Sequence, residues 1–517
     1  MKKIDVKNEK STEIIKKNNN FIFNAFIYNW LYDLMHKHDR FLDGNEIPKE
    51  LEMELDGGSG FFFGMETGRK GFIGKPAYED GHILVVGYPG SGKTMAIVIP
   101  SIMTWKGILI IVDVKGNLHN YWKRLNKHTG KKVKLFKPGA LNNNTCRYDP
   151  FAFLRYDSVD NLAGNANDLA LALIPLPPSA KELVWIQTAQ VFLTGAIIFY
   201  FELGYSFNET MVAIQRASII ETVELIMKGK NEIAKLYMSK LGEVNEKVIV
   251  NIGMELSKLA VLVTDPAIIN AFSPETDCGL LDWQELNTAT EPFDIIIEIP
   301  EANLDKWESM TLLMINQLIK SLERRPERTY VMNKELPPIL IMLDEFPRLG
   351  KITTIQNGLA TLRSRGVTFS LLVQSIANLE KTYGTTDARV IADICSYKVI
   401  LGISDPESQD YFSKAVGTKK FTQKGVNVNL DPFSKMFTSL GLNVNENREP
   451  FIFPHEFLTL KDVVLLNPFN GFCRADKILF YKHQDLFLEY QLLKHQENEG
   501  YATSLAITNC EGDRNND

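Results

Sequence analysis

Cysteine is scarce in this chain of 517 residues. The five cysteines are Cys146, Cys278, Cys395, Cys473 and Cys510. They are scattered, odd in number, and include no C-x-x-C pair. Zinc sites and disulfide frameworks are recognised by such pairs or by regular spacings. The sequence therefore gives no sign of either, and it suits a reducing cytoplasm.

Long apolar runs and an excess of positive charge are also lacking. No stretch reaches the roughly 18 uncharged apolar residues of a transmembrane helix. The lysine-rich N-terminus continues into lysines, acids and asparagines, so no signal peptide is predicted. The net charge of −6 excludes a protein coated in positive charge for non-specific DNA binding, so any nucleic-acid contact must be local. We also find no internal repeat, and we expect the catalytic parts in the cytoplasm.

What the sequence does contain is a phosphate-binding motif at residues 87–94. It reads Gly-Tyr-Pro-Gly-Ser-Gly-Lys-Thr and fits the P-loop pattern G-x-x-x-x-G-K-[ST]. Glycines let successive N–H groups face phosphate oxygens, the lysine adds charge near the β- and γ-phosphates, and the threonine hydroxyl can bind Mg²⁺. The predicted nucleotide-binding residues are Gly87, Gly90, Ser91, Gly92, Lys93 and Thr94.

The flanking residues predict a strand before this loop and a helix after it. Residues 83–86 are a short apolar run, typical of a buried strand. Residues 95–103 predict the start of a helix, which Pro100 is expected to kink or end. A strand, a loop and a helix N-terminus form the arrangement that binds phosphate. We therefore predict an ATP site with Mg²⁺.

Two predicted strands end in a carboxylate that could complete the site. Asp113 follows one apolar run, and Asp344 follows another and is itself followed by Glu345. Adjacent acids allow two roles, with Asp344 holding Mg²⁺ through water and Glu345 facing the attacking water. We therefore predict Asp344 and Glu345 rather than Asp113.

Polar residues around the next predicted strand add to the site. Gln374 follows the apolar run 368–373 and is placed to sense the γ-phosphate. Arg363 and Arg365 precede that run. Either arginine is a candidate arginine finger acting across a subunit interface, and each is equally well explained as a surface charge or salt bridge.

Short apolar runs alternate with helical stretches, which predicts an α/β fold with a mostly parallel sheet covered on both faces. From about residue 151 helical periodicity takes over through 185–201, 209–228, 232–240 and 247–262, and strands return at 293–300, 339–343, 368–373, 398–403 and 477–481. The predicted organisation is an N-terminal appendage (1–60), a nucleotide-binding domain in two parts (61–150 and 286–482), an all-α insertion (151–285) and a C-terminal tail (483–517).

The sequence leaves two interpretations open for each of two segments. Residues 21–35 predict an aromatic-rich amphipathic helix, which either packs on its own core or lies at a membrane surface or on a membrane partner. Residues 123–137 carry seven basic residues and no acid. They are either a solvated helix end and edge strand or a contact with nucleic-acid phosphates.

Three segments resemble the VirD4/TraG/TraD family of type IV secretion coupling proteins, the ATPases that pump DNA in conjugation. The first is 82–100 with Asp-Val-Lys-Gly at 113–116 and residues 133–138. The second and most specific runs from Leu-Asp-Glu-Phe-Pro-Arg-Leu-Gly at 343–350 through 363–366 to 374–384. The third is Arg-Glu-Pro at 448–450 with the predicted strand near Lys477. The likeness covers roughly residues 60–482, and the helical insertion falls where the family has its all-α domain.

The resemblance implies a RecA-like motor that assembles as a homo-hexameric ring. Such a ring receives a relaxase complex at the all-α side and passes single-stranded DNA to the secretion channel. Matched by position, Lys93 and Thr94 are P-loop residues, Asp344 and Glu345 the Walker B pair, Gln374 the sensor, and Arg363 the arginine finger. A finger acting on a neighbouring subunit requires head-to-tail interfaces that close into a ring.

Two departures from the family bear on these expectations. Most members begin with transmembrane helices and none is predicted here, so we expect a cytoplasmic protein held at the inner face of the cell membrane by a separate membrane protein. Asn117 stands where the family often has an acid. Two other hypotheses stay open: an ATPase whose cargo is protein effectors or a non-conjugative DNA, and a nucleotide-binding adaptor without turnover. Glu345 argues against the adaptor, which has little need of that acid.

Overall fold

The computed structural model describes residues 46–54, 58–66, 71–116, 118, 130–139, 145–156, 161–176, 183–274, 279–299, 301–327, 330–331, 334–430 and 437–482. The helix predicted at 21–35, Asn117 and the C-terminal tail lie outside the described residues. The described chain forms two compact units, one of residues 46–410 with 454–482 and one of residues 411–453.

The strands and helices are numbered in chain order. The strands are β1 (Glu52–Met53), β2 (Gly60–Gly64), β3 (Phe72–Pro76), β4 (Ile83–Gly87), β5 (Ile108–Asp113), β6 (Lys132–Phe136), β7 (Arg147–Tyr148), β8 (Leu280–Leu281), β9 (Phe293–Glu298), β10 (Tyr330–Val331), β11 (Lys334–Glu335), β12 (Ile339–Leu343), β13 (Val367–Val373), β14 (Tyr397–Gly402), β15 (Thr418–Leu430), β16 (Phe437–Pro450), β17 (Val463–Asn467) and β18 (Gly471–Ala475). The helices are α1 (Ile99–Thr104), α2 (Ala152–Arg155), α3 (Leu162–Leu173), α4 (Leu183–Glu202), α5 (Phe207–Arg216), α6 (Ile219–Lys228), α7 (Glu232–Ser239), α8 (Glu246–Lys258), α9 (Val261–Thr264), α10 (Pro266–Ala271), α11 (Leu304–Leu322), α12 (Ile355–Thr361), α13 (Ile376–Tyr383), α14 (Thr385–Ile394) and α15 (Pro406–Val416).

A nine-stranded sheet organises the larger unit, in the order β18-β17-β14-β4-β13-β12-β5-β9-β6. The seven strands from β14 to β6 are parallel, and β17 and β18 are antiparallel at one edge. The strands β4, β5, β12 and β13 are buried along their whole length. Continuous apolar strands of this kind are expected where both faces of a parallel sheet are covered. The predicted α/β fold with a mostly parallel sheet is confirmed.

The strand order fixes where a site can form. Parallel strands carry their carboxyl ends to one edge of the sheet, and ligands of open α/β sheets bind outside that edge. Strand β13 lies between β4, which leads into the P-loop, and β12, which ends at Asp344. The residue after β13 is Gln374. The order therefore brings three predicted site segments to neighbouring positions.

A buried histidine connects β4 and β13 near their amino ends, the ends that lie away from the predicted site segments. His82 directly precedes β4, and its Nε2 lies 2.7 Å from the carbonyl oxygen of Leu359 while its Nδ1 accepts from the Phe369 N–H at 3.0 Å. Because Nδ1 accepts, the neutral imidazole with its proton on Nε2 satisfies both partners. His82 therefore links β4 to β13 and α12 in its neutral form.

The helix after the P-loop continues through Pro100. Residues Thr94–Val98 form a π-helical turn, and α1 follows with Pro100 in its first turn. Proline has no N–H to donate to the preceding turn, and breaks in the regular hydrogen-bond pattern of a helix are common at proline. Pro100 therefore accompanies a change of helix type, and the expectation that it might end the helix is wrong.

The helical insertion lies between β7 and β8, which pair with each other in parallel. Its central helix is α4, surrounded by α3, α7 and α8. Gly195 of α4 permits the close approach of α7, since a Cβ there would lie 2.4 Å from the Met238 side chain. Helix α4 is the one described helix long and apolar enough to cross a membrane, and 61% of its most apolar window is buried. We interpret it as the core helix of the insertion. The presence of a helical insertion is confirmed, and its predicted boundaries at 151–285 stay a prediction.

The single helical stretch predicted over 209–228 is two helices, α5 and α6. Ser218 Oγ accepts from the Glu221 N–H at 3.1 Å, and the Glu221 carboxylate accepts from the Ser218 N–H at 2.8 Å. This reciprocal capping box begins a new helix at Ser218.

The strand predicted over 477–481 is also wrong. The antiparallel edge strands come earlier, as the hairpin of β17 and β18, and residues Phe480–Lys482 form a 3₁₀ turn. The ammonium of Lys477 lies 3.3 Å from the carbonyl oxygens of Ser91 and Leu401. These contacts hold the segment around Lys477 near the ends of the strands, and it does not pair as a strand of the sheet.

The smaller unit contains a long hairpin that the sequence analysis did not predict. Strands β15 and β16 pair antiparallel from Thr418 opposite Pro450 to Leu430 opposite Phe437.

Candidate nucleotide-binding site

The loop after β4 has the backbone shape that phosphate binding requires. Gly90 and Gly92 have φ of +85° and +95°, values that residues with side chains rarely adopt. Gly87 is needed for space, because a Cβ there would lie 2.3 Å from Ser91 Oγ. Each of the three glycines is therefore required locally, two by the backbone conformation of the loop and one by the lack of space for a side chain.

Two polar groups of this loop fit a phosphate ligand. The Lys93 ammonium is buried and donates to the Gly87 carbonyl oxygen of its own loop. Burial lowers the pKa of Lys93, and the charge of Glu345 opposes that effect. Ser91 Oγ is buried and has no hydrogen-bond partner among the described residues. Phosphate oxygens would give both the Lys93 ammonium and the Ser91 hydroxyl a hydrogen-bond acceptor. Thr94 follows at the start of the helix.

Two acids follow β12 with different environments. Asp344 is buried, and burial raises its pKa to about 6 while the charge of Lys115 opposes the rise. Glu345 has φ 48° and ψ 45°, and it is the one non-glycine residue with positive φ in the described chain. Such a backbone costs on the order of 1–3 kcal/mol and persists where surrounding contacts impose it, often at functional sites. The strain at Glu345 therefore supports a functional role.

The Glu345 side chain is held at both of its oxygens. Its Oε1 lies 2.6 Å from the Lys115 ammonium, and its Oε2 accepts from Gln374 Nε2 at 2.9 Å. Burial alone would raise the pKa of Glu345, but the hydrogen bonds from Lys115 and Gln374 outweigh it and lower the pKa. Glu345 is therefore an ionised carboxylate at neutral pH, in direct contact with the predicted sensor.

Lys115 was missed as a site residue by the sequence analysis. The turn that presents it is built by Asp113, whose Oδ1 accepts from the N–H groups of Lys115 and Gly116 at 3.0 Å each and whose Oδ2 accepts from Leu118 at 2.9 Å. The carboxylate of Asp113 is thus used by its own turn. The available signal was the Asp-Val-Lys-Gly sequence at the end of a buried strand.

With this geometry in hand, the chain can be compared with known proteins. It matches the family model for "Type IV secretory system Conjugative DNA transfer" over residues 48–501. The chain belongs to this family of conjugative coupling proteins. Protein VirD4 of Rhizobium rhizogenes is 23% identical over 390 residues, which is 74% of this chain and 56% of the relative. The conjugal transfer protein TraG of Escherichia coli is 22% identical over 413 residues, which is 73% of this chain and 62% of the relative. The chain therefore spans a little over half the length of these curated relatives.

Solved structures show the same fold. An unbound bacterial conjugative coupling protein, TrwBdeltaN70, matches with a TM-score of 0.57 and 16% identity, covering 77% of this chain and 85% of that one. TrwB with a non-hydrolysable ATP analogue matches with a TM-score of 0.57 and 15% identity over 79% and 87% of the chains. TrwB with ADP and Mg²⁺ matches with a TM-score of 0.56 and 14% identity, again over 79% and 87%. The expected RecA-like fold and the resemblance to the VirD4/TraG family are confirmed.

The two arginines predicted as candidate arginine fingers, Arg363 and Arg365, do not lie in this site. Arg365 donates to the Arg325 carbonyl oxygen, and Arg325 Nε donates back to Arg365 at 3.1 Å, so Arg365 is bound within the fold. Arg363 is exposed and precedes β13. Gln374 follows the other end of this seven-residue strand, about 23 Å away. Arg363 is therefore too far to reach Gln374 and the site of its own chain.

Three of the four described lysines in the basic stretch 123–137 form ion pairs with acids of the same chain. Lys131 pairs with the buried Asp294 at 3.1 Å. Lys134 pairs with Glu285, and Lys137 with Glu298. Strand β6 is the last strand of the sheet on that side. These lysines fit the interpretation of the stretch as an edge strand, and residues 123–129 lie outside the described residues.

Proposed function

We propose that this chain is an ATPase that receives a relaxase–DNA substrate and pumps single-stranded DNA into a type IV secretion channel. The observation that carries the proposal is the convergence of Lys93, Asp344, Glu345 and Gln374 at one edge of the sheet, in a chain of the conjugative DNA-transfer family. A binding-only protein would have no use for a strained, ionised carboxylate beside the phosphate loop.

The residues divide the chemistry among them. The loop at 87–94 would hold the β- and γ-phosphates of ATP, and Thr94 and Asp344 would hold Mg²⁺, which supplies positive charge to the phosphate oxygens. Glu345 is the ionised group that would orient the attacking water and accept its proton. Gln374 contacts Glu345 directly, so a change at the γ-phosphate can be passed between them. The ligands of TrwB, an ATP analogue and ADP with Mg²⁺, support this assignment.

The proposed working form is a homo-hexameric ring. Arg363 lies far from its own chain's site, which suits an arginine finger that completes the site of a neighbouring subunit. We place the ring in the cytoplasm at the inner face of the cell membrane, held there by a separate membrane protein and by components of the secretion channel.

A second candidate keeps the nucleotide site but makes protein effectors the cargo, with or without ATP turnover. The observation in its favour is the exposed apolar surface of the helical insertion. Val184 and Met254 are 64% and 62% exposed, and Leu203 and Leu236 are 57% and 56% exposed. These four side chains belong to the helical insertion, where a protein partner could bury them.

ATP binding and hydrolysis by the purified full chain test the proposal. We expect Lys93→Ala to weaken binding of a fluorescent ATP analogue. We expect Glu345→Gln to retain binding while turnover falls about 10²-fold or more, the effect of losing a water-activating group. Near-normal hydrolysis by the Gln variant would remove Glu345 from the mechanism. A wild-type protein that binds ATP without turnover would favour the adaptor.

A further inference from the structure

We propose that Lys115 is a positioning residue that holds the Glu345 carboxylate in its working orientation throughout ATP turnover. The inference rests on the proposed ATPase function and deepens it. The contact that motivates it joins two residues 230 positions apart in the chain, with Lys115 Nζ 2.6 Å from Glu345 Oε1.

The fold presents Lys115 to Glu345 rigidly. Strands β5 and β12 are parallel neighbours with Val112 opposite Leu343, and the Asp344 N–H donates to the Val112 carbonyl oxygen at 3.2 Å. The turn that follows Asp113 is fixed by three hydrogen bonds to the Asp113 carboxylate. Lys115 is therefore set beside the end of β12 by the sheet register and not by a flexible loop.

Two lysines, Lys115 and Lys93, lie near the two acids at the end of β12. Asp344 and Glu345 are adjacent, both are buried, and each charge disfavours the other. Lys93 also lies near them, but its ammonium is the group that a bound phosphate would take. Lys115 is outside the P-loop, so it remains with Glu345 when Lys93 is engaged.

The contacts of Glu345 leave acceptor positions that a water molecule could use. A carboxylate has about four acceptor positions on its two oxygens. Lys115 occupies one position on Oε1 and Gln374 one on Oε2. The two contacts therefore fix the orientation of a side chain on a strained backbone while leaving acceptor positions open.

The test uses steady-state ATP hydrolysis by the full chain carrying Lys115→Met, Lys115→Arg or Glu345→Gln, and by the double variant Lys115→Met/Glu345→Gln. Lys115→Met should lower kcat by about 10²-fold, because misplacing a catalytic group by about 1 Å costs this much, while the Kd of a fluorescent ATP analogue changes less than about threefold. Lys115→Arg keeps the charge and should recover at least about a tenth of the wild-type kcat. In the Glu345→Gln background Lys115→Met should change the residual rate less than about twofold, because groups acting as a unit are not additive.

The matched control is Lys134→Met. Lys134 is also partly exposed and paired with a glutamate, on the outermost strand β6. It should leave kcat unchanged, and thermal melting of every variant checks folding.

Three results would overturn the inference. A Met variant as fast as wild type would show that Lys115 does not position Glu345, and a faster one would show that the ion pair is inhibitory. An equal loss in the Glu345→Gln background would show that Lys115 does not act through Glu345. Loss of ATP-analogue affinity in parallel with kcat would make Lys115 a phosphate ligand. A wild-type protein without turnover refutes the proposed function and this inference together, whereas an active wild type with a Met variant of unchanged kcat refutes the inference alone.

Discussion

The separation of Arg363 from its own ATP site leads to a prediction about mixed rings. Arg363 and Gln374 lie at opposite ends of β13, about 23 Å apart, because the strand has seven residues. An arginine side chain cannot cross that distance. If Arg363 is the finger, each site must therefore be built from the P-loop of one chain and the arginine of its neighbour.

The perturbation is to mix two inactive chains, Lys93→Ala and Arg363→Ala. Neither is expected to have activity alone, since one lacks the P-loop lysine at every site and the other the finger at every interface. In a mixed ring, an Arg363→Ala chain keeps its P-loop and can receive the intact Arg363 of a Lys93→Ala neighbour. With equal amounts and random order, roughly a quarter of the head-to-tail interfaces pair these two intact parts. Turnover should recover to roughly a quarter of the wild-type rate if interfaces act independently.

The assay co-expresses the two chains with different affinity tags, purifies mixed rings through both tags, and measures ATP hydrolysis. The matched control mixes Lys93→Ala with Glu345→Gln. Both substitutions fall in the site of one chain, so no interface is repaired and no recovery is expected. Mixed rings without recovery in the Arg363 pairing would refute the finger in trans at this residue. Equal recovery in the control would refute the reasoning as a whole.

Three further predictions concern stability. Glu345→Gly should abolish turnover. Its melting temperature should nevertheless be higher than that of Glu345→Gln, because glycine relieves a left-handed backbone strain of about 1–2 kcal/mol. Equal melting temperatures would contradict the claim that the backbone is strained at residue 345. Burial lowers the pKa of His82 from 6.5 to about 4, so the unfolded chain binds the proton first on acidification, and the stability that His82 contributes falls between these pH values by roughly 3 kcal/mol at about 1.4 kcal/mol per pH unit. Burial raises the pKa of Asp344 and Asp294 to about 6, which acts in the opposite direction over the same range, so the loss is measured against the His82→Gln variant. In urea unfolding the difference in unfolding free energy between wild type and His82→Gln should shrink on acidification, and a difference that stays constant with pH would contradict the prediction. Lys131→Met should lower the unfolding free energy by about 3–5 kcal/mol at pH 8, because the buried Asp294 carboxylate loses its cation, and an unchanged urea midpoint would contradict it.

The candidate site residues that the sequence analysis identified are those that stand in short local patterns. A glycine loop after an apolar run places Lys93, and an apolar run that ends in two acids places Asp344 and Glu345. Each pattern combines a strand with the residue that follows it, and parallel pairing then brings the strand ends to one edge. Their chemical roles stay predictions until they are measured.

The contacts that escaped prediction depend on which strands are neighbours. Lys115 meets Glu345 because β5 pairs with β12, and nothing near either residue encodes that pairing. Lys477 was read as part of a strand because its neighbours are apolar, whereas its ammonium binds distant backbone carbonyls. The break at Ser218 was a missed local signal, since Ser-Ile-Ile-Glu is a capping box in the sequence itself.

The central claim is that this chain couples ATP hydrolysis to single-stranded DNA. The most direct measurement is the ATPase rate of the purified wild-type protein alone, with single-stranded DNA, and with duplex DNA of the same sequence, beside Glu345→Gln under each condition. The account predicts that single-stranded DNA raises the wild-type rate more than duplex DNA does, and that the Gln variant stays inactive throughout. Steady hydrolysis that ignores both DNA forms would contradict a DNA-driven motor and turn attention to a protein cargo.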